Sequence, residues 1–407
     1  MKKILFSAAL FFTACAVSAQ ESVVKEAKSA KADPVKAAQI IEPALTDPST
    51  ANDPNTWKLA GDFQKAIYDA ENMKLYLPGG QEKADTAKLY NSLAKLFQYY
   101  YKCDDLEQAA VAKGELKKAK LRKKLSKELV TVRPNLTNGG IEAINAGRYA
   151  DALKFFGLFV DASQHPMFAE IDVVKNDTLV PVVANYAVMA ANALKDNASV
   201  IKYAEIGKTH KGEGYRALMG LAEAYGKGEF QDSTKWLSTI KEGVQNFPEQ
   251  EFFVGSLMDY YIQRGEIDAA LADIDGFIAA NPSAYFMYVK GILQYEKRDY
   301  AAAEVTFKQI IDKNDGFVAE AYSKIGDCHF FPGQDIEEAN SKLTMDDPNY
   351  VKGEEAVKKA YETARPYYEK AKELAPDNKQ LWGQFLLRIY WKLNKAEYDA
   401  LEKEMGY

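Results

Sequence analysis

The sequence predicts an all-α protein built from antiparallel helix pairs stacked in a row. Three observations lead there. Apolar residues recur at helical spacing in several registered copies along the chain. Each copy sets a small residue between two large ones. Strand signals are scarce: the one β-branched cluster, between Asp172 and Val183, contains Pro181 and feeds an alanine-rich run that reads as a helix start.

The chain has 407 residues, enough for two to four domains or one long array. Its apolar and charged fractions, 47% and 27%, are those of a chain that folds. The net charge of −6 argues against a general nucleic-acid binder, which needs clustered excess Lys and Arg. Residues 1–19 read as a signal peptide. Lys2 and Lys3 form the basic start, Ile4 to Phe12 the apolar core, and Val17-Ser18-Ala19 the small-x-small cleavage site, with Gln20 as the new N-terminus. Cleavage would leave 50 of the 52 basic residues against 58 acidic ones, a net of −8. The apolar core is too short to span a bilayer, and no later segment reaches the length needed. The expected address is the periplasm. A lipoprotein-like Phe12-Thr13-Ala14-Cys15 is the minor alternative, with a lipid anchor on Cys15. Cys103 and Cys328 are expected to be two separate packed thiols.

The copies run in order. Trp57, Ala60 and Gly61 open a helix after a half unit containing Ala37, Ile41 and Ala44. Gly147-Arg148-Tyr149 leads to Ala152, Phe156 and Phe159, and Gly228-Glu229-Phe230 to Ser233, Leu237 and Ile240. Ile267, Ala270 and Ile274 form the next copy, then Tyr300, Ala303 and Phe307, then Tyr361, Ala364 and Tyr368. The small residue lets a neighbouring helix approach, and the large ones fill the space beside it. Unit starts fall at 214, 251, 284, 319 and 379.

These residues resemble the tetratricopeptide repeat, with Ile325-Gly326 in its Leu-Gly places and Pro282 and Pro376 as closing prolines. The resemblance implies a right-handed superhelical solenoid, here of a secreted, Bacteroidota-like bacterial member. The expected organisation is the signal peptide, a degenerate helical region over 20–130, middle repeats over 131–250 and C-terminal repeats over 251–407. An insertion at about 331–353 interrupts the last group. There Phe331-Pro332-Gly333 and Asp346-Asp347-Pro348 read as loop or short-helix signals, delaying the second helix to near Tyr361. Leu77-Pro78-Gly79-Gly80 reads as a turn. Leu116 to Glu128 reads as one lysine-rich amphipathic helix, with Leu116, Leu121, Leu125 and Leu129 on its inner face.

No constellation carries chemistry. The histidines, His165, His210 and His329, lie in different units, without the short ligand spacings a metal needs. No nucleophile elbow is present. Gly207-Lys208-Thr209 lacks the earlier glycine of a phosphate loop, because Lys202 stands there. No enzyme activity, metal or cofactor is expected.

The resemblance further implies a concave groove lined by the first helix of each unit. Its places fall on Tyr215, Tyr225, Phe252, Asp259, Tyr285, Tyr288, Tyr295, Asp327, Phe330, Tyr390 and Trp391. Rigid aromatics give large contact area at small entropy cost. The expected function is a protein–protein interaction scaffold of the cell envelope, holding a partner's peptide or helix. The alternatives are a glycan-binding accessory of nutrient uptake and an accessory subunit of an envelope enzyme. Asp85-Thr86, Asp177-Thr178 and Asp232-Ser233 resemble an O-glycosylation acceptor of the Bacteroidota, which makes Thr86, Thr178 and Ser233 candidate modification sites.

Overall fold

The computed structural model describes residues 21–76, 83–314 and 316–407. The signal peptide with Cys15, Ala19 and Gln20, and the turn at Leu77 to Gly80, lie outside the described residues. Every regular element among the described residues is helical. Two compact units divide the chain, meeting in sequence between Thr239 and Ile240.

The first unit opens with α1 (21–29), α2 (Pro34–Ile41) and a 3₁₀ turn, Glu42–Leu45. Next come α3 (Pro54–Lys74), α4 (Thr86–Ala112), α5 (Arg122–Val132), α6 (Pro134–Asn145) and α7 (Tyr149–Ala162). A 3₁₀ turn, Pro166–Phe168, and the short α8 (Asp172–Lys175) precede α9 (Val180–Leu194), α10 (Asn197–Gly207) and α11 (Gly214–Gly226). The boundary falls inside α12 (Ser233–Asn246). The second unit continues with α13 (Glu251–Arg264), α14 (Ile267–Ala280), α15 (Ala284–Glu296), α16 (Tyr300–Lys313), α17 (Val318–Asn340) and α18 (Pro348–Leu374). A 3₁₀ turn, Lys379–Leu381, leads to α19 (Gly383–Lys392) and α20 (Tyr398–Met405).

Local chemistry sets the helix starts. Asp53, Asp85, Asp196, Ser283, Asp299 and Asp347 cap helices by accepting an N–H from the first turn. Proline stands in the first turn of α2, α3, α6, α9 and α18, where its missing N–H costs nothing. Short connections then turn each helix back on its predecessor, as in α3/α4, α6/α7, α9/α10, α15/α16 and α17/α18. The expected unit starts at 214, 251 and 284 are the first residues of α11, α13 and α15, and α17 begins one residue before 319. The repeat residues line the interfaces. Ala152, Ala270, Ala303 and Ala364 are fully buried, as are Phe156, Ile274, Phe307 and Tyr368.

A glycine on the first helix of a pair receives a ring from the second. A Cβ on Gly140 would stand 2.3 Å from Phe156, and one on Gly291 2.4 Å from Phe307. On Gly61 it would meet Tyr100 at 2.3 Å, and on Gly326 Tyr368 at 2.8 Å. Only glycine admits so close an approach. Cys103 and Cys328 are separate buried thiols, each pushed up to about 12 by burial.

Two expectations need correction. The 331–353 stretch is not a loop. α17 runs through Phe331-Pro332-Gly333 to Asn340, and α18 begins at Pro348 rather than near Tyr361. Pro332 removes one hydrogen bond from a 23-residue helix, and Gly333 lets Ala360 and Tyr361 close over the same spot. Asp346-Asp347-Pro348 is a helix start: Asp347 accepts the Asn349 N–H and Pro348 occupies the first turn. The insertion therefore lengthens both helices of one pair. Likewise, Leu116 to Glu128 is not one helix. α4 ends at Ala112, Gly114 turns the chain at φ +76°, and α5 starts only at Arg122. Leu125 and Leu129 are buried as expected, while Leu116 stands 41% exposed on the loop.

Candidate functional site

A cleft in the first unit combines exposed apolar side chains with fixed polar ones. It lies between α9 and the start of α11, the first helices of successive pairs, and has a volume of about 510 Å³. α9 supplies Val182, Asn185, Tyr186, Val188, Met189 and Asn192, and Glu213 and Arg216 close the far side. The alanine-rich composition of α9 explains the placement. Ala184, Ala187, Ala190 and Ala191 are buried against neighbouring helices. The larger Tyr186 and Met189 are left on the open face, 43% and 42% exposed.

The polar groups are held. Asn185 Nδ2 donates to the carbonyls of Pro181 and Gly207, both at 3.1 Å. Arg216 pairs with Glu213 at 2.6 Å, and its Nε also donates to Tyr215 Oη at 3.1 Å. The cleft thus offers an apolar floor about two side chains wide, two amides and one charged edge. Sites of this size and lining take side chains or small molecules.

The sequence-derived groove residues divide by depth. Phe252, Asp259 and Trp391 are exposed, with Arg388 lying 4.8 Å over the Trp391 ring. Tyr215, Tyr285, Tyr288 and Tyr295 are half-buried. Tyr288 stacks on Phe317 at 5.2 Å, and Tyr295 packs on Tyr300 at 5.4 Å. Burial, aided by Glu251 beside Tyr285 and by Glu320 and Asp327 near Tyr288, pushes both phenols up to about 12. Four are interior and do not face a guest. Tyr225 and Tyr390 are each 8% exposed. Phe330 stacks on Tyr361 at 4.9 Å. Asp327 accepts the Tyr368 hydroxyl at 2.6 Å and pairs with Lys324 at 2.7 Å. Counting repeat places finds the helix face but not how far the next helix covers it. The reading missed Asn185, Tyr186, Met189 and Asn192. Their signal was the spacing of Val182, Asn185, Met189 and Asn192, one stripe of α9.

The three Asp-Ser/Thr pairs all stand at helix starts. Asp85 caps α4, and Thr86 Oγ1 donates to Glu142 at 2.9 Å. Asp232 accepts the Thr234 and Lys235 amides, leaving Ser233 exposed. Asp177 accepts the Leu179 amide and pairs with buried Arg133, while Thr178 is exposed. Capping accounts for Asp85 and Asp232, and the pair with Arg133 accounts for Asp177.

The fold defines the class: an all-α protein of antiparallel helix pairs. No protein-family model matches the chain, and no curated protein does. Among solved structures it is similar to a TPR repeats protein from Bacteroides fragilis, at 17% identity and a TM-score of 0.33, covering 63% of this chain and 97% of that one. It is also similar to the C-terminal part of a TPR repeat-containing protein from Cytophaga hutchinsonii, at 14% identity and a TM-score of 0.38, covering 65% and 92%. Yeast Tom70 is similar at 13% identity and a TM-score of 0.28, covering 95% and 91%.

Proposed function

We propose that this protein is a secreted, non-catalytic scaffold of the bacterial cell envelope that holds a peptide or helix of a partner protein between α9 and α11. One observation carries the reading. Tyr186 and Met189 stand exposed in a formed cleft whose polar edges are already fixed by Asn185 and by the Glu213–Arg216 pair. Covering two such side chains releases water from apolar surface, and an aromatic anchor in a pre-set pocket is what binding hot spots use. The address follows from the signal sequence at 1–19, and mass spectrometry of the mature N-terminus should find Gln20. A start at an acylated Cys15 would move the protein to a lipid anchor.

Selection of displayed peptides on the purified mature protein tests the cleft. The expected result is a consensus with one or two apolar anchors, bound at least tenfold more weakly by Tyr186→Ala/Met189→Ser. Peptides indifferent to that variant would dismiss the cleft. Binding confined to a neutral-glycan array would favour the glycan-binding accessory.

A further inference from the structure

The chain is acidic, yet between Lys113 and Lys127 it carries eight basic residues and one acidic one, Glu115. That stretch has a net charge of +7, so the rest of the chain carries −13. Only two of the eight are neutralised: Arg122 by a two-pronged pair with Asp104 at 2.8 Å, and Lys124 by Glu128 at 3.8 Å. Lys113, Lys117, Lys118, Lys120, Lys123 and Lys127 are exposed and have no ion pair among the described residues.

The loop that bears them is anchored. Buried Glu107 accepts the Lys120 and Leu121 amides, both at 2.9 Å, and the Arg122–Asp104 pair ties the start of α5 to α4. Beside it lies a cavity of about 420 Å³. Lys120, Lys123 and Lys127 line it against a single carboxylate, Glu170, and Ala119, Pro166, Met167 and Ile171 give it apolar walls. A second hollow, of about 490 Å³, shares Lys120 and adds Lys118 and Leu116, but it also carries the carboxylates of Asp53, Glu107 and Glu115, so the basic surface centres on the first. No aromatic side chain lines either one.

We propose that this anchored basic surface, on the 113–121 loop and α5, docks an acidic peptide segment of a partner protein with apolar residues interspersed among its carboxylates. Charge complementarity chooses an acidic occupant, since the remaining surface repels it and this patch draws it in. Lysines are mobile point charges without the planar fork of arginine, so they fit carboxylates set at varying spacing. The apolar walls of the first hollow suit a chain that carries apolar side chains, which polysaccharides lack. Without rings there is no stacking platform for bases or sugar faces. The proposal goes beyond the α9–α11 cleft and does not rest on it.

The test uses the mature protein and a fluorescein-labelled peptide, Glu-Glu-Leu-Glu-Glu-Leu-Glu-Glu, followed by anisotropy at 50 and 300 mM salt. Binding is expected, weakening with salt. A Lys117→Gln/Lys118→Gln/Lys123→Gln/Lys127→Gln variant should bind at least tenfold more weakly, with an unchanged helical dichroism spectrum. Exchanging the probe's leucines for serine should weaken binding at least threefold. Tyr186→Ala/Met189→Ser should leave this binding intact, so each site can fail alone. Absence of binding, indifference to the four glutamines, or tighter capture by heparin or anionic phospholipid vesicles than by the leucine-containing peptide would overturn the proposal.

Discussion

Two neighbouring helix pairs of the second unit solve the same packing problem with different chemistry. In α15/α16, Gly291 lies under the ring of Phe307, and the residue after the glycine is Ile292. In α17/α18, Gly326 lies under Tyr368, and the next residue is Asp327, which accepts the ring hydroxyl. The first unit repeats the contrast. Gly140 precedes Ile141 under Phe156, whereas Gly61 precedes Asp62 under Tyr100. The Tyr100 proton lies between Asp62 at 2.9 Å and Glu128 at 3.0 Å. In these four contacts, where the ring is phenylalanine the place after glycine is apolar, and where it is tyrosine that place holds an acceptor. A buried hydroxyl left unpaired is expensive, so the two positions must agree. Asp327, read from the sequence as a groove residue, belongs to this internal agreement.

The largest expected effect comes from removing the rings. Phe307→Ala and Tyr368→Ala should each destabilise their pair by about 3–5 kcal/mol, the cost of a large core truncation. Tyr368→Ala should cost more, because it also takes the Tyr368 hydroxyl from buried Asp327 and leaves it the Lys324 pair. Urea denaturation, with amide exchange to localise the loss, measures both. Equal costs would mean that the hydroxyl contributes nothing and that the two pairs are energetically alike.

The apolar half of this design was legible in the sequence, and the polar half was not. Ala270, Ala303 and Ala364 announced themselves by spacing from larger neighbours, because burial on one helix face imposes a 3.6-residue period. The starts of α11, α13 and α15 followed. Signals with two meanings failed. Asp346-Asp347-Pro348 looked like a stop, although Asp then Pro is also how a helix begins. Pro332 looked like a break, but the helix around it is long enough to absorb the loss. The lysine run kept a helical charge pattern from Leu116 onward, but the chain stays irregular until α5 starts at Arg122. The α9 stripe of Val182, Asn185, Met189 and Asn192 was in the sequence, but that it lines an open cleft shows only in three dimensions. Tyr368 and Asp327 lie 41 residues apart, a separation no local pattern spans.

A smaller effect separates the hydroxyl from the ring. Tyr368→Phe keeps the packing and removes one hydrogen bond from a buried carboxylate, so a loss of about 1–3 kcal/mol is expected. Adding Asp327→Ile should recover much of it, since that pair then imitates α15/α16. A double-mutant cycle by urea denaturation gives the coupling directly. The reverse change, Phe307→Tyr, should destabilise unless an acceptor is placed at Ile292. Additive effects at 327 and 368 would break the agreement drawn from the four pairs.

The smallest expected effect is a response to acid, and it should be confined to the polar pair. The lengthened end of α17 and α18 is tied by Glu337, which receives the Tyr361 hydroxyl at 2.9 Å, Arg388 at 2.9 Å and Lys392 at 2.8 Å. Burial alone would raise this carboxyl, but the three donors hold it below its ordinary value of 4.5. A carboxyl lowered in the folded state adds stability above its ordinary value, and that stability fades as pH falls through the folded one. Unfolding of the α17/α18 end by urea should therefore ease progressively below pH 4.5. Glu337→Gln should remove that slope and leave α15/α16 unaltered, because the Gly291–Phe307 contact involves no titratable group. An acid response of equal size around Phe307 would show that the lengthened pair owes its pH dependence to global charge rather than to Glu337.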